Sequence, residues 1–138
     1  ETALLQAEQR TFETMQKLRA LGVRLVLDDF GTGFASLNYL RNFTFDKIKI
    51  DRSFISEMAD RRDSMAIVGA AAGLAKALGI GPVAEGIEGV AQLNGVRDAG
   101  CRQVQGFYFS RPVPSDEVEA AVAQCLARLK AESADAGA

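Results

Sequence analysis

Val23-Arg24-Leu25-Val26-Leu27-Asp28-Asp29-Phe30-Gly31-Thr32-Gly33 is an apolar run that stops abruptly in two carboxylates and a loop with two glycines. Residues 23–27 read as a strand buried on both faces. A buried strand that delivers acid groups into a flexible turn is how open α/β sheets and barrels build sites at strand carboxyl ends. Neighbouring strand residues point to opposite faces, so Asp28 and Asp29 act together only if the chain kinks there. Gly31 and Gly33 allow such a kink. A metal or phosphate site and a solvated acidic turn both fit these residues.

The flanks alternate between helical and extended patterns. Residues 3–21 read as an amphipathic helix with Leu5, Phe12, Met15 and Leu18 on one stripe, stopped by Gly22. After the acidic loop, Ser36 caps a short helix through Leu37, Tyr39 and Leu40. A second strand, residues 45–50, puts Ile48 and Ile50 on one face and Lys47 and Lys49 on the other, and ends at Asp51. Arg52-Ser53-Phe54-Ile55 and a charged loop lead to a helix over residues 64–78, with Val68, Ala71 and Ala75 on its apolar face. The third strand, residues 82–84, terminates in Glu85-Gly86-Ile87-Glu88. A helix carrying Val90, Leu93 and Val96 follows, and the fourth strand, residues 103–105, runs into Gly106. Ser115 starts the last helix, whose stripe is Val118, Val122, Cys125 and Leu129, and residues from 131 on are expected to fray.

This order of a helix and then four strand-helix pairs implies an α/β fold with a parallel sheet and helical crossovers. Four strands close no barrel by themselves. In a parallel sheet with right-handed crossovers the strand carboxyl ends share one face. The groups at those ends are Asp28 and Asp29, Lys49 and Asp51, Glu85 and Glu88, then Gln105. Each has an ordinary reading, and Asp51 reads best as the cap of the turn that follows it. Jointly they point to a carboxylate-based metal site, whose oxygen donors suit Mg²⁺ or Mn²⁺ rather than Zn²⁺.

Composition narrows the chemistry. The sequence contains no histidine, which removes Ser-His-Asp and Cys-His catalysis and zinc sites with His ligands. Cys101 and Cys125 form no metal motif and read as core thiols in a reducing compartment. With 48% hydrophobic and 25% charged residues the chain is a globular domain. Its formal net charge of -2 gives no reason to expect a nucleic-acid polymer as partner. No apolar run reaches the ~20 residues that span a bilayer, and no basic-then-apolar leader is read. The expected location is the cytoplasm, or the cytoplasmic part of a larger membrane-anchored signalling protein. Asp29-Phe30-Gly31 spells the kinase metal-binding triplet, but the other kinase motifs are missing.

Four motifs, in order and each at a strand end, carry a family resemblance. They are Asp28-Asp29-Phe30-Gly31-Thr32-Gly33, Lys49-Ile50-Asp51-Arg52-Ser53-Phe54, Ala84-Glu85-Gly86-Ile87-Glu88 and Gln105-Gly106-Phe107-Tyr108-Phe109-Ser110-Arg111-Pro112. The chain resembles the EAL domain family, bacterial cyclic di-GMP phosphodiesterases built on a modified (β/α)₈ barrel with a two-metal site. The resemblance implies the carboxyl-terminal half of that TIM-like barrel, strands five to eight, over residues 1–130, with residues 131–138 as a disordered tail. It implies that Asp28 bridges two Mg²⁺ or Mn²⁺ ions, that Asp29 binds one, and that Lys49 orients the attacking water. Glu85 would be general base or hold a metal through water, while Glu88 and Gln105 support the site or touch substrate. Glu1 would brace the Asp-Asp-Phe-Gly loop. The family's Glu-Ala-Leu motif, an Asn ligand and a further Glu ligand would lie before Glu1. Arg102 and Gly89 depart from the family pattern, at positions away from the expected ligands.

Two functions follow as expectations. The first is a metal-dependent phosphodiesterase that opens cyclic di-GMP to linear pGpG, with this chain inactive when isolated. The second is a non-catalytic cyclic di-GMP-binding regulatory module. Exposed edges of the first and last strands also lead us to expect self-association, or pairing with the missing half of the barrel.

Overall fold

The computed structural model describes residues 2–32, 35–58 and 61–135. The first helix, α1 (Thr2–Ala20), stops where expected. Gly22 adopts a φ of +82°, and the amides of Gly22 and Val23 donate back to Arg19 O and Leu18 O at 2.8 and 3.1 Å. This is the left-handed exit that favours glycine. Phe12 of α1 leans on Phe43, with ring centroids 5.9 Å apart.

The sheet contains β1 (Val26–Phe30), β2 (Lys47–Ile50), β3 (Gly81–Ala84) and β4 (Gln103–Val104). They pair in sequence order, every pair parallel, as the alternation implied. Between them run α2 (Ala35–Asn42), α3 (Arg52–Glu57), α4 (Arg62–Ala77) and α5 (Val90–Asp98). A 3₁₀ turn over Ser115–Glu117 precedes the last helix, α6 (Val118–Asp135).

The core lies between the sheet and α3, α4 and α5. Ile48 and Ile50 point from β2 into it and are fully buried, while Lys47 and Lys49 on the other face stay partly exposed. Val68, Ala71, Ala72 and Ala75 form the buried face of α4, and their small size lets that helix sit close to the sheet. Ile55, Ile87, Val96 and Cys101 complete the most enclosed layer. Each Ile removed from water there contributes about 1.5–3 kcal/mol. Cys101 is a free core thiol, and burial raises its pKa.

Sequence expectations for the first strand and the last helix are corrected, and one helix is added. The first strand begins at Val26 and continues through both aspartates to Phe30. It is not buried on both faces: β1 is an edge of the sheet, and Val26 is 43% exposed. The segment after Asp51, to which the sequence pattern gave no element, forms the short helix α3, because Asp51 caps it. On the last helix, Cys125 and Leu129 are partly covered, but Val118 and Val122 are exposed, so only one side of that stripe packs. α6 also continues past residue 131 to Asp135. Glu1, Gly33 and residues 136–138 lie outside the described residues, as do the side chains of Leu5 and Ser36.

Candidate metal and phosphodiester site

The site begins with a defect in the β1–β2 ladder. Val26 pairs with Lys47 and Leu27 with Ile48, but the next pair is Phe30 with Ile50. Asp28 and Asp29 therefore stand together opposite Lys49, a two-against-one bulge of the kind that re-aims side chains. The kink sits on Asp29 itself, whose φ is +51°, an uncommon value for a residue with a side chain. Aspartate tolerates it better than most because its short polar chain bonds locally. The turn is held by Thr32, whose amide and hydroxyl both donate to Asp29 O, at 3.3 and 2.9 Å. The bulge resolves the problem that alternation posed. One carboxylate oxygen each from Asp28, Asp29 and Glu85 lies within 4.8 Å of the others.

Hydrogen bonds beyond the strand ends keep the sheet in step. The amide of Asp51 donates to Phe30 O at 3.5 Å, that of Glu85 to Ile50 O at 3.2 Å, and that of Gln105 to Ala84 O at 2.9 Å. Along this rim the side chains form one relay. Lys49 Nζ donates to Asp28 Oδ1 at 2.9 Å and Oδ2 at 3.1 Å, and it makes a close ion pair with Glu85. Gln105 Nε2 donates to Glu85 Oε1 at 2.7 Å. Four successive strand ends thus contribute to one constellation.

Electrostatics follow the contacts. The Lys49 ammonium holds the Asp28 carboxyl below the usual carboxylate range, against a smaller opposing effect of desolvation. Lys49 is itself pushed up, first by its hydrogen bond to Glu85 and then by that to Asp28, again against desolvation. Glu85 is the most enclosed of the ion-paired carboxylates, with its side chain 13% exposed against 59% for Asp28. Three carboxylates against one ammonium leave the cluster with a formal charge of -2. An all-oxygen set converging within 4.8 Å, short of positive charge, fits a hard divalent ion such as Mg²⁺ or Mn²⁺. The Lys49 ammonium, bridging Asp28 and Glu85, already marks where positive charge is favourable.

The remaining candidates divide. Asp51 Oδ1 accepts from the Ser53 amide at 2.9 Å and its hydroxyl at 2.5 Å, which lowers the pKa of Asp51 and caps α3. Its carboxylate is used structurally, as the sequence suggested. Glu88 is exposed and lies outside the converging carboxylate group, and Gln92 Oε1 accepts from the amides of Glu88 and Gly89 at 2.7 and 3.2 Å. Sequence reasoning passed over Gln92, although a Gln three residues into a helix is a recognised capping signal.

Comparison with known proteins agrees with this geometry. The chain is 43% identical over 119 residues to the cyclic di-GMP phosphodiesterase NbdA of Pseudomonas aeruginosa, covering 86% of this chain and 15% of that protein. The solved PaMucR phosphodiesterase in complex with c-di-GMP superposes with a TM-score of 0.75 at 40% identity, over 80% of this chain and 45% of that one. A manganese and cyclic di-GMP complex of BlrP1 from Klebsiella pneumoniae superposes at 0.69 and 37% identity, over 72% of this chain and 26% of that one. The chain thus spans less than half of each of these proteins, and its four parallel strands form part of a TIM-barrel-like domain. The family model for the EAL domain matches residues 1–112, and the chain belongs to the EAL domain family.

Proposed function

We propose that this chain supplies the carboxyl-terminal strand ends of a metal-dependent phosphodiesterase domain that hydrolyses cyclic di-GMP to linear pGpG. The observation that carries the proposal is the convergence of Asp28, Asp29, Lys49, Glu85 and Gln105 on one rim. It is supported by two of the similar proteins, the cyclic di-GMP phosphodiesterase NbdA and the PaMucR phosphodiesterase in complex with c-di-GMP.

Asp28 and Asp29 would hold Mg²⁺ or Mn²⁺, two ions in the complete domain, with Glu85 close enough to share in the ligation. Divalent ions supply charge neutralisation at the phosphoryl group and a lowered pKa for water. The chain's own residues do the rest. Lys49 donates to the attacking water and stabilises the negative charge that builds on the phosphoryl oxygens. Glu85 accepts the proton of that water as its oxygen bonds to phosphorus, and the ester P–O bond breaks as the departing ribose oxygen, which stays on the linear product, takes a proton from solvent water. Gln105 fixes the Glu85 carboxylate through its amide.

The domain acts in the cytoplasm, in keeping with two free cysteines. No helix among the described residues is long and apolar enough to cross a membrane. Alone, this chain turns over little cyclic di-GMP, and it self-associates or pairs with the rest of the barrel through its exposed sheet edges.

The test is incubation of the full-length protein with cyclic di-GMP and Mn²⁺, with chromatographic detection of pGpG. Release of pGpG is expected. Tight binding without release would instead mark a non-catalytic receptor, and neither binding nor release would refute the assignment.

A further inference from the structure

Two glycines follow the site's carboxylates, and both are pressed by the same short helix. A Cβ on Gly31, two residues after Asp29, would fall 2.6 Å from Phe54 Cε2 and 3.1 Å from Cζ. A Cβ on Gly86, directly after Glu85, would fall 2.5 Å from Arg52 Cβ and 3.4 Å from Arg52 Cα. Contacts this close exist only because both positions lack a side chain. Both glycines also have positive φ, +104° and +72°, so each marks a tight turn. Arg52 and Phe54 lie on the first turn of α3, and Asp51 fixes that turn to β2 by its cap. α3 further anchors itself in the core through Ile55 and Met58.

We propose that Phe54 and Arg52 are positioning residues: wedged against Gly31 and Gly86, they hold the Asp28–Asp29 turn and the Glu85 turn at the separation needed to share metal. The proposal rests on the metal-site reading above and adds the element that sets its dimensions. Backbone hydrogen bonds hold that separation least firmly on the β1 side. The β1–β2 ladder is broken at the bulge, and the backbone link from Asp51 to Phe30 is long at 3.5 Å. A rigid aromatic ring and a backbone-proximal methylene supply the stop that the ladder lacks. The Cβ of Arg52 makes the tightest contact, with Cα and Cγ at 3.4 and 3.7 Å, so the contact does not involve the guanidinium.

The test is Mn²⁺ affinity by titration calorimetry on the full-length protein, with kcat and KM for cyclic di-GMP measured in parallel. Asp28→Asn identifies the binding event that belongs to this site. Phe54→Ala is expected to weaken Mn²⁺ binding about 10-fold or more, the usual cost of losing a group that orients metal ligands. It lowers kcat more than it raises KM, and Phe54→Leu recovers much of the affinity. Arg52→Gly, which removes the Cβ, is expected to lose more Mn²⁺ affinity than Arg52→Ala, which keeps it. If Phe54→Ala does not fold, Phe54→Leu and the Arg52 pair carry the test. A folded Phe54→Ala with wild-type Mn²⁺ affinity overturns the proposal, as does an Arg52→Ala loss equal to that of Arg52→Gly. Wild-type protein that binds Mn²⁺ here but releases no pGpG refutes the hydrolase reading and leaves the wedge to be judged on Mn²⁺ affinity. Wild-type protein that binds no Mn²⁺ overturns both.

Discussion

Asp29 bends the backbone at the one position where two successive carboxylates must face the same way. The acidic pair and the Lys49–Glu85–Gln105 series were legible in the sequence because residue type and strand-end position suffice to find them. The bulge was not, since a positive φ on a non-glycine residue is imposed by tertiary contacts that no local pattern displays. Sequence reasoning required a kink at the two aspartates and looked to Gly31 and Gly33 to allow it, whereas Asp29 carries the positive φ itself. At this scale Glu85→Gln is expected to lower kcat by about 10²–10⁴-fold, the loss that follows removal of a general base, measured as pGpG released by the full-length protein. A second expectation concerns charge. In the metal-free protein Lys49→Met raises the Asp28 pKa toward its ordinary value, because the hydrogen bond from Lys49 is the main cause of its depression. A carboxyl-carbon NMR titration reads this directly, and an unchanged Asp28 midpoint would contradict it. The sign for stability follows: the depressed Asp28 pKa gives stability that is present above the ordinary aspartate range and is lost as pH falls through the lowered value. The raised Lys49 pKa gives stability that persists until pH rises through it. The pair is therefore intact across the neutral range.

Elements come next, and here the sequence was readable in proportion to length. α1, α4 and α5 were found with ends displaced by only a few residues, because several turns display an apolar face. α3 was missed because six residues show no period, and what forms it is one cap and two buried anchors, Ile55 and Met58. Asp51→Ala should cost about 1 kcal/mol in denaturant unfolding, whereas Asp51→Asn, which keeps an acceptor, should cost less. Equal losses would show that the carboxylate acts by its charge. At the β4 end, Gly106 lies against the backbone of Ile87. A Cβ there would stand 2.1 Å from Ile87 O and 2.3 Å from Ile87 N. Neither atom can move without disturbing the Ile87–Gln105 and Tyr108–Ile87 hydrogen bonds, both of which use the Ile87 backbone. Gly106→Ala is expected to cost about 3 kcal/mol or more, visible as a lowered Tm, and a near-neutral effect would refute this packing.

For the whole molecule, alternation of strand and helix pointed to the parallel sheet and hence to the shared rim, while the sequential strand order followed only from the resemblance to a barrel. What it left open was how much apolar surface the described residues leave uncovered. Val26 on β1, Val122 and Leu126 on α6, and Leu21 and Val23 before β1 are exposed. Such surface beside unpaired strand edges favours association. This chain alone is expected to run above its monomer mass in light scattering, and a monodisperse monomer would contradict that. The central claim is that residues from different strand ends act as one centre. Kinetics of Lys49→Met, Glu85→Gln and the double variant in the full-length protein test it most directly. Groups that work as a unit lose about as much singly as together, so the double variant is predicted to release pGpG no more slowly than the worse single variant. Losses that multiply, or single variants that keep the wild-type rate, would contradict the account.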